Sequence, residues 1–106
     1  MKITFTKYPS GYVKASSDFT KRYYVYYSGD TGTSINLANA IINEYLEKYG
    51  AQVNFGYKDS RCRSYGPDVS VCIITSRKPI AKTKFKSIIE DELDVTVVGV
   101  EVENFN

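Results

Sequence analysis

Hydrophobic and polar residues alternate with different periods along the chain, and these periods predict a series of strands and helices. Residues 22–28, RYYVYYS, are mainly strand formers on both faces, which predicts a buried strand. In the next segment apolar residues recur at steps of three and four, which predicts a helix with one apolar stripe made of Ala38, Ile41, Ile42, Tyr45, Leu46 and Tyr49. Thr33 or Ser34 can cap the start of this helix, and Gly50 can end it in a left-handed conformation.

The second half of the chain contains three further predicted elements. Residues 51–57, AQVNFGY, alternate as in a half-buried strand, and residues 69–75, VSVCIIT, form a more continuously apolar strand. Pro79 opens a second predicted helix, whose apolar face carries Phe85, Ile88, Ile89 and Leu93. Residues 95–103, VTVVGVEVE, close the chain as a strand. The composition of residues 58–68, KDSRCRSYGPD, predicts a loop.

These elements give the order β-α-β-β-α-β, preceded by an N-terminal hairpin. The hairpin is predicted from ITFTKY and YVKAS around a Pro-Ser-Gly turn, so that residues 1–20 extend a compact core over 21–106. We predict an α+β fold, a ferredoxin-like sandwich with both helices on one face of an antiparallel sheet. The alternative is a reduced flavodoxin-like α/β sheet, but residues 58–68 lack the helical crossover that parallel strands need. In the ferredoxin-like arrangement, the hairpin could cover the second sheet face.

Length and composition limit what the chain can do. Its 106 residues form a single domain, with 42% hydrophobic and 25% charged residues as in ordinary globular proteins. Histidine is absent, which removes the usual general base and every Ser-His or Cys-His pair, so we predict a non-enzymatic protein. Cys62 and Cys72 fit no zinc spacing, and we expect no metal and no cofactor. Because no apolar run is long enough for a membrane span, we expect a cytoplasmic protein whose cysteines stay reduced.

Charge is distributed unevenly, although the net charge is only +2. Residues 57–86 carry eight lysines and arginines against two aspartates, and residues 87–106 carry six acidic residues and no basic ones. In the second predicted helix this order opposes the helix dipole, because Lys82, Lys84 and Lys86 come first. Lysines beside free helix amides form an anion site suited to the phosphates of nucleic acid or to an acidic protein surface. The alternative is a solvated face that lysine–glutamate pairs neutralise.

The loop between the two middle strands is a second basic candidate. Its candidate contact residues, together with two cations that follow the next strand, are Lys58, Arg61, Arg63, Tyr65, Arg77 and Lys78. Arginine beside tyrosine suits phosphate contact with base stacking, and equally suits a protein–protein hot spot. The neighbouring cations would lower the pKa of the Cys62 thiol and make it reactive. The competing interpretation is a solvated hairpin loop without a binding role.

A glycine-bearing turn, SGDTGTS, joins the first strand to the first helix. Free amides and the helix dipole could hold a phosphate there, at positions Gly29, Gly32, Thr33 and Ser34. The stretch YYSGDTGTSINLANAI resembles the phosphate loop of flavodoxins, and it is similar to the loop of sugar-phosphotransferase IIB domains, whose cysteine-type members have cysteine in place of Ser28. The resemblance implies nucleotide or flavin phosphate binding, without phosphocysteine chemistry. Asp30 would repel a phosphate, so an ordinary turn with a helix cap is the alternative.

Four tyrosines in the first strand raise a further hypothesis, the stacking of bases on an open sheet face as in RNA-recognition domains. Those domains also carry aromatic residues on the neighbouring central strand, and VSVCIIT has none. Core packing or a self-association face is therefore favoured for these tyrosines.

The sequence therefore predicts a small non-enzymatic binding module that recognises an anionic partner through the basic loop and the lysine-rich helix start. The expected partner is a nucleic acid or a nucleic-acid-binding protein complex, without membrane association. One alternative is a protein-binding regulator or inhibitor of the kind encoded by viruses and mobile elements, for example one that blocks a host defence complex. Another is nucleotide or flavin phosphate binding at the 28–34 turn. A homodimer through a sheet face or an edge strand is an alternative to a monomer.

Overall fold

The computed structural model describes residues 19–105. Within this range the chain forms a four-stranded antiparallel sheet and three α-helices, an α+β architecture. The elements in chain order are β1 (Lys21–Ser28), α1 (Ile35–Leu46) with a short 3₁₀ helix (Glu47–Tyr49), β2 (Gln52–Tyr57), α2 (Cys62–Tyr65), β3 (Val69–Ser76), α3 (Lys82–Glu92) and β4 (Thr96–Asn104). The N-terminal hairpin predicted within residues 1–20 has both of its strands outside the described residues.

The strands lie in the order β2-β3-β1-β4, and each neighbouring pair is antiparallel. The hairpin predicted over residues 51–75 is therefore confirmed, and the parallel, flavodoxin-like alternative is wrong. The segment between the hairpin strands is not a plain loop, because it contains the single turn of α2. Four residues are too few to show a helical period in a sequence. They are also too few for the crossover that joins parallel strands.

One face of the sheet packs against the two long helices. Tyr23, Val25 and Tyr27 of β1 belong to the same buried cluster as the apolar stripes of α1 and α3. The fully buried helix residues of this cluster include Ala38, Ile42, Leu46, Phe85 and Ile89. Both predicted stripes thus face the sheet, where apolar burial stabilises the fold by about 25 cal/mol per Å². The prediction is wrong for Tyr45 of the first stripe, which is 48% exposed.

The opposite face is also buried, which explains why β1 and β3 are apolar on both sides. Two tyrosines of β1 pack there against apolar residues of β3, beneath side chains of α2. The buried members of this cluster are Tyr24, Tyr26, Cys62, Val69, Val71 and Ile73, with Tyr57 and Tyr65 packed against them. Within the described residues, the cover expected from the N-terminal hairpin therefore comes from the 58–68 segment.

The predicted limits of the first helix are confirmed. Ser34 caps α1, because its Oγ accepts a hydrogen bond from the Leu37 N–H at 3.2 Å. Gly50 follows the 3₁₀ helix with a φ of 63°, in the left-handed region that favours glycine.

The predicted start of the second long helix is wrong. Helix α3 begins at Lys82 rather than at Pro79. Between them Ile80 is buried, and its N–H donates to the Tyr23 hydroxyl at 2.9 Å. The connection is therefore anchored to the core in extended form, and Ala81, with a ψ of 137°, is the last extended residue before the helix.

Candidate functional site

The basic residues around the start of α3 lie beside the end of the 3₁₀ helix. The Tyr49 carbonyl accepts hydrogen bonds from the N–H groups of Arg77 and Lys78, each at 3.1 Å. These bonds hold the end of β3 against the segment that follows α1, and both cationic side chains are exposed. Two segments that are distant in sequence thus share one end of the molecule.

Two lysines flank the ring of Tyr49. The Lys48 Nζ lies 5.5 Å and the Lys84 Nζ lies 5.9 Å from the ring centroid, within the range of cation–π attraction. We call Lys48, Tyr49, Arg77, Lys78 and Lys84 the basic end. Lys48 and Tyr49 are not among the binding residues predicted from the sequence, because they lie at the end of the first helix and the predicted cations lie in the second half of the chain. If the two predicted helices are packed antiparallel, the end of the first lies beside the start of the second, and this arrangement would have placed Lys48 and Tyr49 near Lys84.

The start of α3 attracts anions through its peptide groups as well as its side chains. Its N-cap is Ala81, whose side chain makes no capping hydrogen bond, and the first turn contains no acidic residue. Uncapped N–H groups and the helix dipole favour negative charge, and each lysine placed beside them costs about 0.3–1 kcal/mol at an exposed end. Lys82 and Lys84 therefore favour anion binding here although they lower the stability of the helix.

Most of these lysines have no carboxylate partner. Lys86 pairs with Glu90 at 2.9 Å, four residues along the same helix. At this end of the molecule, the lysines that make no ion pair within residues 19–105 are Lys48, Lys78, Lys82 and Lys84. The alternative of a self-neutralised helix face thus applies to Lys86 and not to the first turn of α3.

Arg61 of the predicted basic loop is engaged inside the protein. Its guanidinium lies 4.4 Å from the centroid of the Tyr24 ring and pairs with Asp59 at 3.1 Å and with Glu101 at 2.9 Å. Two carboxylates and a ring occupy most of the directions in which a guanidinium can bind. Arg61 therefore closes the second sheet face and has little capacity left for a phosphate.

Two further residues of this loop are also held by the fold. Tyr65 stacks on Tyr26 with 4.5 Å between ring centroids, and its hydroxyl donates to a Glu101 carboxylate oxygen at 2.8 Å. The Lys58 Nζ donates to a backbone carbonyl of β3 at 2.8 Å. Arg63 is exposed and lines a cleft of about 520 Å³. Of the cations predicted in this loop, Arg63 is the one that the fold leaves most available.

At the 28–34 turn, the chain's own side chains bind two of the peptide N–H groups that could hold a phosphate, those of Gly32 and Leu37. The Asp30 carboxylate accepts a hydrogen bond from the Gly32 N–H at 3.1 Å. The Thr33 carbonyl accepts one from the Thr31 hydroxyl at 2.8 Å, and Ser34 caps α1. These contacts are those of an ordinary turn that leads into a helix.

The surroundings of this turn are also negative rather than positive. Gly29 and Gly32 have φ values of 104° and 74°, a backbone conformation that favours glycine, so these glycines allow the chain to turn from the strand into the helix. The neighbouring cavity, of about 320 Å³, is lined by the carboxylates of Asp30 and Asp68. Because the sheet is antiparallel, the resemblance to the flavodoxin phosphate loop extends no further than the local strand–turn–helix pattern.

The tyrosines of β1 are buried structural residues. Tyr24 and Tyr26 are 1% and 0% exposed, so a nucleic-acid base cannot stack on their rings. Burial raises the pKa of Tyr26 far above the usual range and raises the pKa of Tyr27 to about 12, so both hydroxyls stay protonated at neutral pH. Core packing, rather than base stacking, is therefore their use.

The two cysteines are buried free thiols on opposite faces of the sheet. Burial raises the pKa of Cys62 and raises the pKa of Cys72 more strongly. The expectation of a lowered Cys62 pKa is therefore wrong. The physical reason is that Arg61, its neighbour in sequence, directs its charge to Asp59 and Glu101, while the thiol itself lies out of water.

Comparison of the chain with protein-family models, with curated proteins and with solved structures finds no match. Across residues 19–105, no three potential metal ligands among histidine, cysteine and acidic side chains come together. No helix in this part of the chain combines the length and the apolar character that a membrane span requires. The candidate site is therefore defined by geometry and charge, and it consists of the basic end together with the uncapped start of α3.

Proposed function

We propose that the chain is a non-enzymatic binding module whose basic end holds the phosphates of a nucleic acid, free or within a nucleoprotein complex. The observation that supports this function is the group of lysines without ion pairs around Tyr49 and the uncapped first turn of α3. Such contacts attract any phosphate backbone and are strongly weakened by salt. The half-buried Tyr49 ring offers a surface on which a base or sugar can pack.

The test is titration of fluorescein-labelled single-stranded and duplex DNA and RNA at several salt concentrations. Lys84→Glu should weaken binding by about tenfold at low salt and reduce the slope of log affinity against log salt by about 1. Arg63→Glu is the matched control, because it reverses one exposed charge on the 58–68 segment, and it should leave affinity within about twofold. If the unaltered protein binds none of the four nucleic acids at low salt, this function is excluded.

A protein-binding role, such as that of a regulator or inhibitor encoded by a virus or mobile element, is the second candidate. It is favoured by β4, which lies at the edge of the sheet and exposes Val98 and Val102. An intracellular location fits both candidates, since the two cysteines are free thiols. Phosphate binding at the 28–34 turn gains no support from peptide groups that are already occupied.

We also propose that the sheet and its two long helices form a ferredoxin-like sandwich. The strand order β2-β3-β1-β4, the antiparallel pairing and the shared helix face support this assignment. An experimental structure tests it through the handedness of the two connections, β1-α1-β2 and β3-α3-β4. Right-handed crossovers would support the assignment, and left-handed ones would exclude it.

A further inference from the structure

The two edges of the sheet differ in how their peptide groups are satisfied. At the β2 edge, the pairing is irregular between Asn54 and Tyr57. The Phe55 N–H donates to Asn39 Oδ1 at 2.6 Å, and the Gly56 N–H donates to the Tyr27 hydroxyl at 3.2 Å. Side chains therefore satisfy two peptide N–H groups in the irregular part of this edge, and such irregularities hinder pairing with other strands.

The β4 edge is closed only near its start. The register against β1 shifts between Tyr26 and Tyr27, which leaves Val98 as an extra residue in β4. Just before this bulge, the Val97 N–H donates to the Glu90 carboxylate of α3 at 2.7 Å. Glu90 thus satisfies an outward peptide N–H near the start of β4, and no described side chain does so further along the strand.

Beyond the bulge, the peptide groups of β4 point alternately toward β1 and away from it. The Phe105 N–H donates to the Thr20 carbonyl at 2.9 Å, and this bond sets the alternation along the antiparallel ladder. The peptide groups of Val100, Val102 and Asn104 consequently point outward. Within residues 19–105, the backbone of these three residues has no hydrogen-bond partner on its outward side. We call this stretch the open edge.

A shallow groove runs beside the open edge on the side of α3. Its walls are Lys82, Thr83 and Lys86 of α3, and its floor is formed by residues 97–100 of β4. Val98 and Val102 are 37% and 41% exposed and add apolar surface along this edge. The groove therefore combines an apolar floor with a positively charged rim.

We propose that the open edge binds an extended segment of a partner protein, with apolar residues over the valines and acidic residues toward Lys82 and Lys86. In this mode of binding, outward peptide groups supply main-chain hydrogen bonds and alternate side chains supply specificity. We expect acidic residues in the partner because Lys82 makes no ion pair within the described residues and Lys86, although exposed, pairs with the half-buried Glu90. The inference goes beyond the nucleic-acid function and rests on the protein-binding candidate, because its hydrogen bonds come from the edge of β4 rather than from the basic end. Lys82, at the start of α3, borders both surfaces.

A second copy of the chain is a poorer occupant of the open edge. Two copies related by a two-fold axis would pair their β4 strands antiparallel. Every such register that joins two or more open positions sets Glu101 or Glu103 of one copy opposite Glu101 or Glu103 of the other, and like charges opposite each other are destabilising. Each of these carboxylates already has an arginine partner in its own chain. A second copy would therefore bring no additional cation to offset the repulsion between glutamates.

The probe for this proposal is a terminally blocked octapeptide labelled with fluorescein, in which valine and glutamate take turns at every second position with threonine between them. Valine and glutamate then share one face of the extended peptide, as Val102 and the two lysines share the α3 side of the sheet. Its fluorescence anisotropy, titrated with the full chain, should rise and saturate. The same peptide with lysine in place of glutamate should bind at least about tenfold more weakly. The same peptide with every backbone amide methylated should not bind, because it can donate no hydrogen bond to the edge.

A protein variant tests the edge from the other side. Val102→Pro removes an outward N–H without breaking a bond of the ladder, and it should abolish binding of the valine–glutamate peptide. Val102→Thr keeps the N–H and should bind within about threefold of the unaltered chain. Circular dichroism confirms the fold of each variant. If Val102→Pro fails to fold, the methylated peptide tests the same contact on the unaltered protein.

Several outcomes would overturn the proposal. These are no peptide binding by the unaltered chain, equal binding of the methylated peptide, or unchanged binding by folded Val102→Pro. Dimerisation in sedimentation velocity that Val102→Pro abolishes would assign the edge to a second copy and would also overturn it. Lys84→Glu should weaken nucleic-acid binding while leaving peptide affinity within about twofold, so the two proposals can fail independently.

Discussion

A methyl group added at Gly99 of β4 would collide with the ring of Tyr65. A Cβ at this position would lie 2.3 Å from Tyr65 Cε1 and 2.7 Å from its Cζ. The ring cannot move away without loss, because it stacks on Tyr26 at 4.5 Å and its hydroxyl donates to Glu101 at 2.8 Å. The φ of Gly99 is not positive, so alanine adds no backbone strain of its own. Gly99→Ala should therefore displace Tyr65 and loosen the cover of the second sheet face.

The magnitude follows from the contacts that Tyr65 would lose. The stacked ring pair contributes about 0.5–1.5 kcal/mol, and a hydrogen bond to a charged carboxylate contributes about 1.5–3 kcal/mol. Because Tyr65 is half-buried, the lower part of the second range applies. Replacing glycine by alanine within a strand by itself stabilises the folded state by about 0.5–1 kcal/mol, which offsets part of this loss. We expect a net loss of about 1–3 kcal/mol in the free energy of unfolding.

Urea denaturation of four proteins measures this coupling, namely the unaltered chain, Gly99→Ala, Tyr65→Ala and the double variant. Removal of the Tyr65 ring removes the three atoms nearest to the added methyl group, so Gly99→Ala should then be neutral or stabilise the protein by up to about 1 kcal/mol. The expected coupling energy is at least about 1.5 kcal/mol. If Gly99→Ala has the same effect in both backgrounds, within about 0.5 kcal/mol, the reasoning is refuted.

Two further predictions concern titratable groups. Because burial raises the pKa of Cys62 and Cys72, both thiols should react with an aromatic disulfide reagent much more slowly in the native protein than in denaturant, and equal rates would contradict their burial. The Lys86 ammonium and the Val97 N–H hold the pKa of Glu90 below its usual range, so its stabilising effect should be complete above the ordinary pKa of glutamate and should disappear as pH falls through the lower folded-state pKa. Urea midpoints of Glu90→Gln should accordingly change less from neutral to acidic pH than those of the unaltered chain.

Much of the fold was predictable because its signals are local. The stripe of α1, its serine cap and the glycine after the 3₁₀ helix all lie within one short stretch, and the structure confirms them with the exception of Tyr45, which is exposed. The antiparallel pairing of β2 with β3 was also predictable, since residues 58–68 show no helical pattern for the crossover that parallel strands need. The start of α3 was not predictable, because the anchoring of Ile80 under Tyr23 is a contact between residues 57 positions apart.

The candidate site was predictable only in part, and the cations show why. By itself the sequence determined where positive charge is concentrated, since a run of lysines and arginines is visible without any structure. Only the tertiary structure decided which of these charges remain available. Arg61 is neutralised by Glu101, 40 residues away, whereas Lys48 joins Lys84 at the ring of Tyr49. Hydrophobic periodicity is a property of neighbouring residues, but the partner of a charge depends on which distant groups the fold brings within a few ångströms of it.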